Sequence, residues 1–286
     1  MHASLYPVTS ITGTLAIAAT ALCWAKPALG NYLTFDYRAW HGEPWRLATS
    51  VFPHVDVIHL AFNLYWLWVF GTCIEEYFRP LRTLGFFLLF GVAASAAEFA
   101  SFGSGIGLSG IGYGLFGMLW VLSRRDRHFA DAVDLPTVIL FFAWFVLCFV
   151  LSALRIWNVA NVAHAAGLVL GILSGVALTV HSRAGRIAAW AAVGVLTAVI
   201  LATSWFAWPY INVSPHLDSD LAYFGYRELE AGRPERAVLL LKRSVEVNPN
   251  NARAWHNLGV AYYRLQRKDE AEAALQRESR IRGEER

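Results

Sequence analysis

Uncharged apolar runs dominate the first 210 or so residues of the chain, and they recur at lengths that match a bilayer. A spanning helix needs about 17–25 predominantly apolar residues. Seven runs reach or approach that length: roughly 9–29, 55–75, 83–102, 107–122, 135–154, 159–180 and 187–208. The fourth is short and interrupted by glycine. Its helix is expected to begin inside the membrane thickness, below a loop, where irregular backbone is tolerable only if protein or water surrounds it. The first run has no basic segment before it and no small-residue cleavage site after it, so it reads as a retained helix rather than a signal peptide. The pattern predicts an all-α, polytopic membrane helix bundle.

Near Asp218 the pattern changes. Arg, Glu and Lys now interleave with apolar positions, and the segment repeats with a period of 34: Leu221, Phe224, Gly225 and Ala237 recur as Trp255, Leu258, Gly259 and Ala271. With Pro249 and Tyr262 this resembles the tetratricopeptide pattern, a small helical repeat domain with two helices per repeat. Glu228 stands where the first repeat should carry tyrosine. Two repeats are fewer than the three usually needed for a stable stack, so a capping segment, a membrane helix, a second protomer or a bound partner is expected to complete it. The expected division is a six-span core over 1–182, an extra span over 183–210 and helical repeats over 211–286.

Composition agrees with the spans. The 286 residues are 56% hydrophobic and 16% charged, with 12 tryptophans, whereas soluble domains average roughly 45–50% apolar. A net charge of +3 without a basic stripe argues against a nucleic-acid partner. Cys23, Cys73 and Cys148 lie singly in apolar runs and predict neither a disulfide nor a zinc site. Loop cations set the orientation. With the N-terminus inside, Arg79, Arg82, Arg124, Arg125, Arg127, Arg183 and Arg186 are cytoplasmic, against Lys26, Arg38, Arg46 and Arg155 outside. Seven against four favours that orientation, and it puts the repeat segment outside the cytoplasm.

Polar side chains inside the spans need partners or a purpose. His59 and Asn63, four apart in the second run, share one helix face, where they could serve simply as interhelical hydrogen-bond glue. In the sixth run His164 precedes Gly167, Gly171 and Gly175, a stripe of small residues that lets helices touch backbone to backbone. The fourth run, "GIGLSGIGYGLFG", answers with Ser109 just before Gly110, Gly114 and Gly117, and with Tyr113 one turn on. If the two glycine stripes pack, Ser109 and His164 meet at one depth. A serine Oγ in reach of an imidazole is the minimal activated nucleophile. A polar transport path is the competing use of these residues, but no second half repeats the first, as many transporters do.

Taken together, "HLAFN" in the second run, "GLSG" opening the fourth and "AHAAG" in the sixth closely resemble the rhomboid intramembrane serine proteases. Trp45-Arg46, His54, Glu75 and Tyr113 fill further positions of that family's pattern, and the resemblance spans about residues 10–180. It implies Ser109 as nucleophile, His164 as general base and Tyr113 packed on the imidazole. It also implies an oxyanion hole from His59, Asn63 and the backbone N–H groups near Leu108 and Ser109, with Gly107, Gly110, Trp45, Arg46 and His54 in support. The sixth run holds no Asp or Glu, which makes this a dyad. No cofactor and no metal are implied. The implied setting is the lipid bilayer of a bacterial inner (plasma) membrane, with the active site toward the extracytoplasmic side and an open cavity in front of Gly107. The implied substrates are transmembrane proteins, and the 218–286 repeats offer a surface for a further protein partner. Silent relatives that bind or escort membrane proteins usually lack the serine or histidine, so that reading ranks second. Glu98, near the outer end of the third run, fits either the wall of a water cavity or a snorkelling surface acid.

Overall fold

The computed structural model describes residues 5–103 and 105–284. Every regular element among them is helical, and they form two compact units, Met1–Phe206 and Ala207–Arg286.

The first unit contains α1 (Pro7–Ala25), α2 (Val57–Phe102), α3 (Ser109–Arg125), α4 (Leu135–Ala153), α5 (Asn161–Thr179) and α6 (Arg183–Ala202). Among the described residues, five helices are long and apolar enough to cross a membrane, where the sequence pattern suggests seven separate runs. The difference lies in two places. The second and third runs are arms of the 46-residue α2, broken where Arg79 leaves helical geometry at φ 70° beside Pro80. Proline lacks the N–H that would continue the ladder, so 57–78 and 80–102 are two arms joined by a sharp bend. The fourth run is the 17-residue α3, about 26 Å long at 1.5 Å per residue. It starts at Ser109 rather than at 107.

Side-chain oxygens fix several helix starts. Asp56 accepts the His59 N–H at 2.8 Å, Asp134 accepts that of Thr137 at 2.9 Å, and Ser182 that of Gly185 at 3.1 Å. The first turn of α1 is capped from a distance, because the buried Glu75 carboxylate accepts Val8 N–H, Thr9 N–H and the Thr9 hydroxyl, each at 2.8 Å. Helix α3 is the enclosed centre of the unit, with Leu115, Phe116, Met118 and Leu119 wholly buried. Helices α4 and α6 bury few residues; their outward faces are apolar, as a lipid-facing helix requires. Beyond α6, a π-turn at Thr203–Ala207 brings Trp205 flat against Trp40 of the first loop, with ring centroids 5.3 Å apart. The seventh run therefore ends on the side of the first loop.

The second unit is two antiparallel helix pairs: α7 (Leu217–Glu230) with α8 (Pro234–Val247), and α9 (Ala252–Arg264) with α10 (Lys268–Glu284). The period of 34 is visible in the packing. A Cβ on Gly225 would stand 2.5 Å from Leu241 Cγ, and one on Gly259 would stand 2.7 Å from Leu275 Cγ. Glu228 also has its reason. It is buried and pairs with Arg233 at 2.6 Å, whereas in the second repeat Arg267 lies over the Tyr262 ring at 4.6 Å. Arginine is constant at the turn: Arg233 meets the Glu228 carboxylate, while Arg267 pairs with Glu270 and also covers the Tyr262 face. The end of the first repeat is covered by Trp208–Ile211: Trp208 is buried edge-on to Phe224, and Arg243 donates to the Pro209 carbonyl at 2.9 Å.

Candidate active site

The glycine stripes set the geometry. A Cβ on Gly167 would lie 2.2 Å from the Gly110 carbonyl oxygen, one on Gly171 would lie 2.0 Å from that of Gly114, and one on Gly175 would lie 2.9 Å from that of Met118. Each pair has the same offset in sequence, so α3 and α5 run parallel with their backbones in contact. The facing surface differs from a simple glycine-to-glycine seam. Gly110 and Gly114 turn their own bare Cα toward the 80–102 arm, where a Cβ would meet Ala94 at 2.5 Å and the Phe90 ring at 2.4 Å, while Gly117 faces the Leu168 carbonyl at 2.6 Å. Helix α3 is thus clasped on two sides, and glycine is needed on both.

This register brings the first turn of α3 against the first turn of α5. Ser109 opens α3 and is half-buried beside a small recess bounded by Gly105, Gly107, Gly110, Ala160 and Ala163. His164 lies in the first turn of α5 and is 4% exposed. Tyr113 stacks on its imidazole with ring centroids 4.6 Å apart, and the Tyr113 hydroxyl donates to the Phe141 carbonyl at 3.2 Å. Two contacts therefore hold the aromatic platform. Among the described residues His164 Nδ1 has no hydrogen-bond partner, so no carboxylate or carbonyl orients the ring. No hydrogen bond joins Ser109 to His164 either; in substrate-free enzymes such bonds are often long and tighten only in the complex.

The second run supplies the opposite wall. Asp56 caps its first turn and so orients His59, whose ring stacks edge-on to His54 at 4.8 Å. His54 is a link between segments. Its Nε2 accepts the Leu108 N–H at 3.3 Å, which places its proton on Nδ1, 2.9 Å from the Phe52 carbonyl. The Leu108 N–H, one of the expected oxyanion donors, is thus engaged by His54 here, and the backbone donors next in line belong to the start of α3, where first-turn N–H groups have no intrahelical acceptor. Asn63 is buried and gives one amide proton to the His59 carbonyl at 2.9 Å; a carboxamide has a second.

Gly107 sits where these elements converge. Its φ is +111°, and a Cβ there would lie 2.9 Å from His59 Cε1. Gly107→Ala is expected to cost about 1–3 kcal/mol through the left-handed backbone alone, and to displace His59. Thermal unfolding in detergent, followed alongside proteolysis, checks both effects.

Not every residue of the pattern reaches this site. Arg46 is wholly buried but its partners are in the first loop: Glu43 at 2.6 Å, the Thr34 carbonyl at 2.8 Å and Asp36 at 3.5 Å. Trp45 is about half exposed and donates to the Tyr32 carbonyl at 3.1 Å. Both build the loop. Glu98 is neither a cavity wall nor a surface acid: it is 5% exposed, and it accepts the Ala163 N–H at 3.0 Å. Asp56 was legible as a helix cap from "DVIH"; Glu98 carried no local signal.

Residues 41–181 match the family model of the Rhomboid domain, and residues 224–283 match that of a tetratricopeptide repeat. Similar curated proteins include the Rhomboid protease GlpG of Salmonella choleraesuis (strain SC-B67), 28% identical over 186 residues, which are 60% of this chain and 64% of that protein. The Rhomboid protease GlpG of Photorhabdus laumondii subsp. laumondii is 30% identical over 156 residues, 50% of this chain and 52% of that protein. The chain thus spans less than two thirds of the length of these relatives.

Proposed function

For a chain that carries a rhomboid domain over residues 41–181 and a tetratricopeptide repeat over residues 224–283, we propose the activity of an intramembrane serine endopeptidase. The observation that carries this reading is the glycine-locked pairing of α3 with α5, which sets Ser109 and the Tyr113-backed His164 at one depth. In the proposed reaction Ser109 Oγ attacks the scissile carbonyl while His164 takes its proton. The tetrahedral oxyanion is held by Asn63, His59 and N–H groups at the start of α3, where the helix dipole also favours negative charge. His164 then protonates the leaving amine. His164 then deprotonates a water molecule, the resulting hydroxide attacks the acyl carbon, and as the ester bond breaks His164 returns the proton to Ser109 Oγ.

Substrates are proposed to be transmembrane segments that reach the site laterally and unwind locally, since helical peptide bonds are shielded by their own ladder. The site is proposed to face the side opposite the arginine-rich loops, in a bacterial plasma membrane. The repeat segment is proposed to bind a protein partner outside the cytoplasm.

The test is cleavage of a purified transmembrane reporter by the wild type, Asn63→Ala and His59→Ala. Loss of one oxyanion donor lowers kcat by about 10²–10³-fold in a soluble protease, and each variant is expected to fall in that range with little change in KM. Wild-type rates in both variants would remove these side chains from the oxyanion hole.

A further inference from the structure

One buried carboxyl group outside the dyad touches both segments that present it. Glu98 is in the outer part of the 80–102 arm, and its Oε2 accepts the Ala163 N–H at 3.0 Å, across 65 residues of sequence. Ala163 is in the first turn of α5 and immediately precedes His164. The same side chain abuts the loop that leads into Ser109, because a Cβ on Gly105 would lie 3.0 Å from Glu98 Cγ and 3.1 Å from Ala160 Cβ. Loop, carboxyl group and helix start form one contact.

The need for this contact follows from local sequence. The first N–H groups of a helix have no partner within it, and at membrane depth an unsatisfied one is costly. Ala160, at the N-cap of α5, has no side chain that can accept a hydrogen bond, and no side-chain cap is made there. Glu98 supplies the acceptor that the segment itself lacks. Among the described residues His164 has no hydrogen-bond partner at Nδ1, so its placement there depends on the Tyr113 ring and on the backbone of this first turn.

Resting on the dyad reading, we propose that Glu98 is a positioning residue for the proteolytic reaction: it pins the first turn of α5, and with it His164, against the loop that delivers Ser109. It acts through backbone and touches neither the imidazole nor the reacting atoms.

The experiment uses the full chain purified in detergent, with kcat and KM measured on a transmembrane reporter and normalised to folded protein by thermal unfolding. Outer-shell partners of this kind cost about 10–100-fold when removed in metal sites, and Glu98→Ala is expected to lose kcat in that range at unchanged KM. Glu98→Gln keeps an oxygen acceptor for Ala163 and is expected to recover most of the wild-type kcat. Glu75→Ala is the control, since it removes the equivalent distal cap from α1: it is expected to lower stability while leaving kcat per folded molecule unchanged. Wild-type kcat in Glu98→Ala, equal losses of kcat in Glu98→Ala and Glu75→Ala, or a glutamine variant no better than alanine would each overturn the proposal. If Glu98→Ala does not fold, Glu98→Asp, shorter by one methylene, decides: a fall in kcat at unchanged KM supports positioning, and an unchanged kcat overturns it. A wild type no more active than Ser109→Ala would defeat the dyad reading itself. An active wild type with an indifferent Glu98→Ala defeats only this inference.

Discussion

Ser109→Ala and His164→Ala are each expected to lower cleavage of a transmembrane reporter by at least about 10⁴-fold, and the double variant by no more than either alone. The scale follows from soluble serine proteases, where removing the nucleophile or its base alone costs nearly as much as removing the whole catalytic set. Non-additivity is the informative part. If Ser109 and His164 act as one proton-transfer unit, the second substitution has nothing left to remove. Independent contributions to binding or folding would add. Both side chains tolerate truncation in principle: Ser109 opens a helix and is half-buried, and loss of His164 leaves the Tyr113 ring without its stacking partner but, among the described residues, breaks no hydrogen bond at Nδ1. Retained thermal stability with lost turnover is the expected combination.

The second large effect concerns packing. Gly171→Ala is expected to destabilise the protein by about 3 kcal/mol, the upper end of the usual range for overpacking. The methyl group would sit 2.0 Å from the Gly114 oxygen and 2.8 Å from its carbonyl carbon. Those are backbone atoms, so no side chain can swing aside and the helices must separate. Separation by about 1 Å can cost on the order of 10²-fold in rate when it misplaces reacting groups, so activity should fall further than stability alone explains. Gly112→Ala is the matched comparison. It lies in the same helix as Gly114, nothing approaches its Cβ position within 4 Å, and alanine is favoured over glycine in a helix by about 1 kcal/mol. It should be neutral or stabilising and fully active. Thermal unfolding and reporter cleavage on both variants decide the matter; a Gly171→Ala protein as stable as the wild type would contradict the close-packed register.

These two effects separate what was legible in the sequence from what was not. The packing of the Ser109 and His164 helices through glycine was readable because helical periodicity places residues three and four apart on one face, while the proposed roles of the two residues rest on the resemblance. Periodicity says which positions share a face but not which neighbour that face meets. Hence the surprise that Gly110 and Gly114 bare their Cα atoms to Ala94 and Phe90, and offer α5 their carbonyls instead. The roles of Glu98 and Glu75 were hidden for a related reason. Each caps a helix start more than sixty residues away, and no local capping signature encodes a partner that only the folded chain supplies. The bend at Arg79–Pro80 had its proline in plain view, and it divides the second and third runs into two helical arms. In the repeat unit the period of 34 was clear, while the exchange of Tyr262 for Glu228 made sense only once Arg233 and Arg267 were seen at equivalent turns.

The dyad itself is tested most directly by covalent labelling. Purified protein in detergent is treated with a serine-reactive fluorophosphonate, and the adduct is located by peptide mass mapping. A single adduct on Ser109 in the wild type, lost in both His164→Ala and Ser109→Ala, is the predicted result. An adduct on a different serine, or labelling of Ser109 that His164→Ala leaves undiminished, would contradict the account.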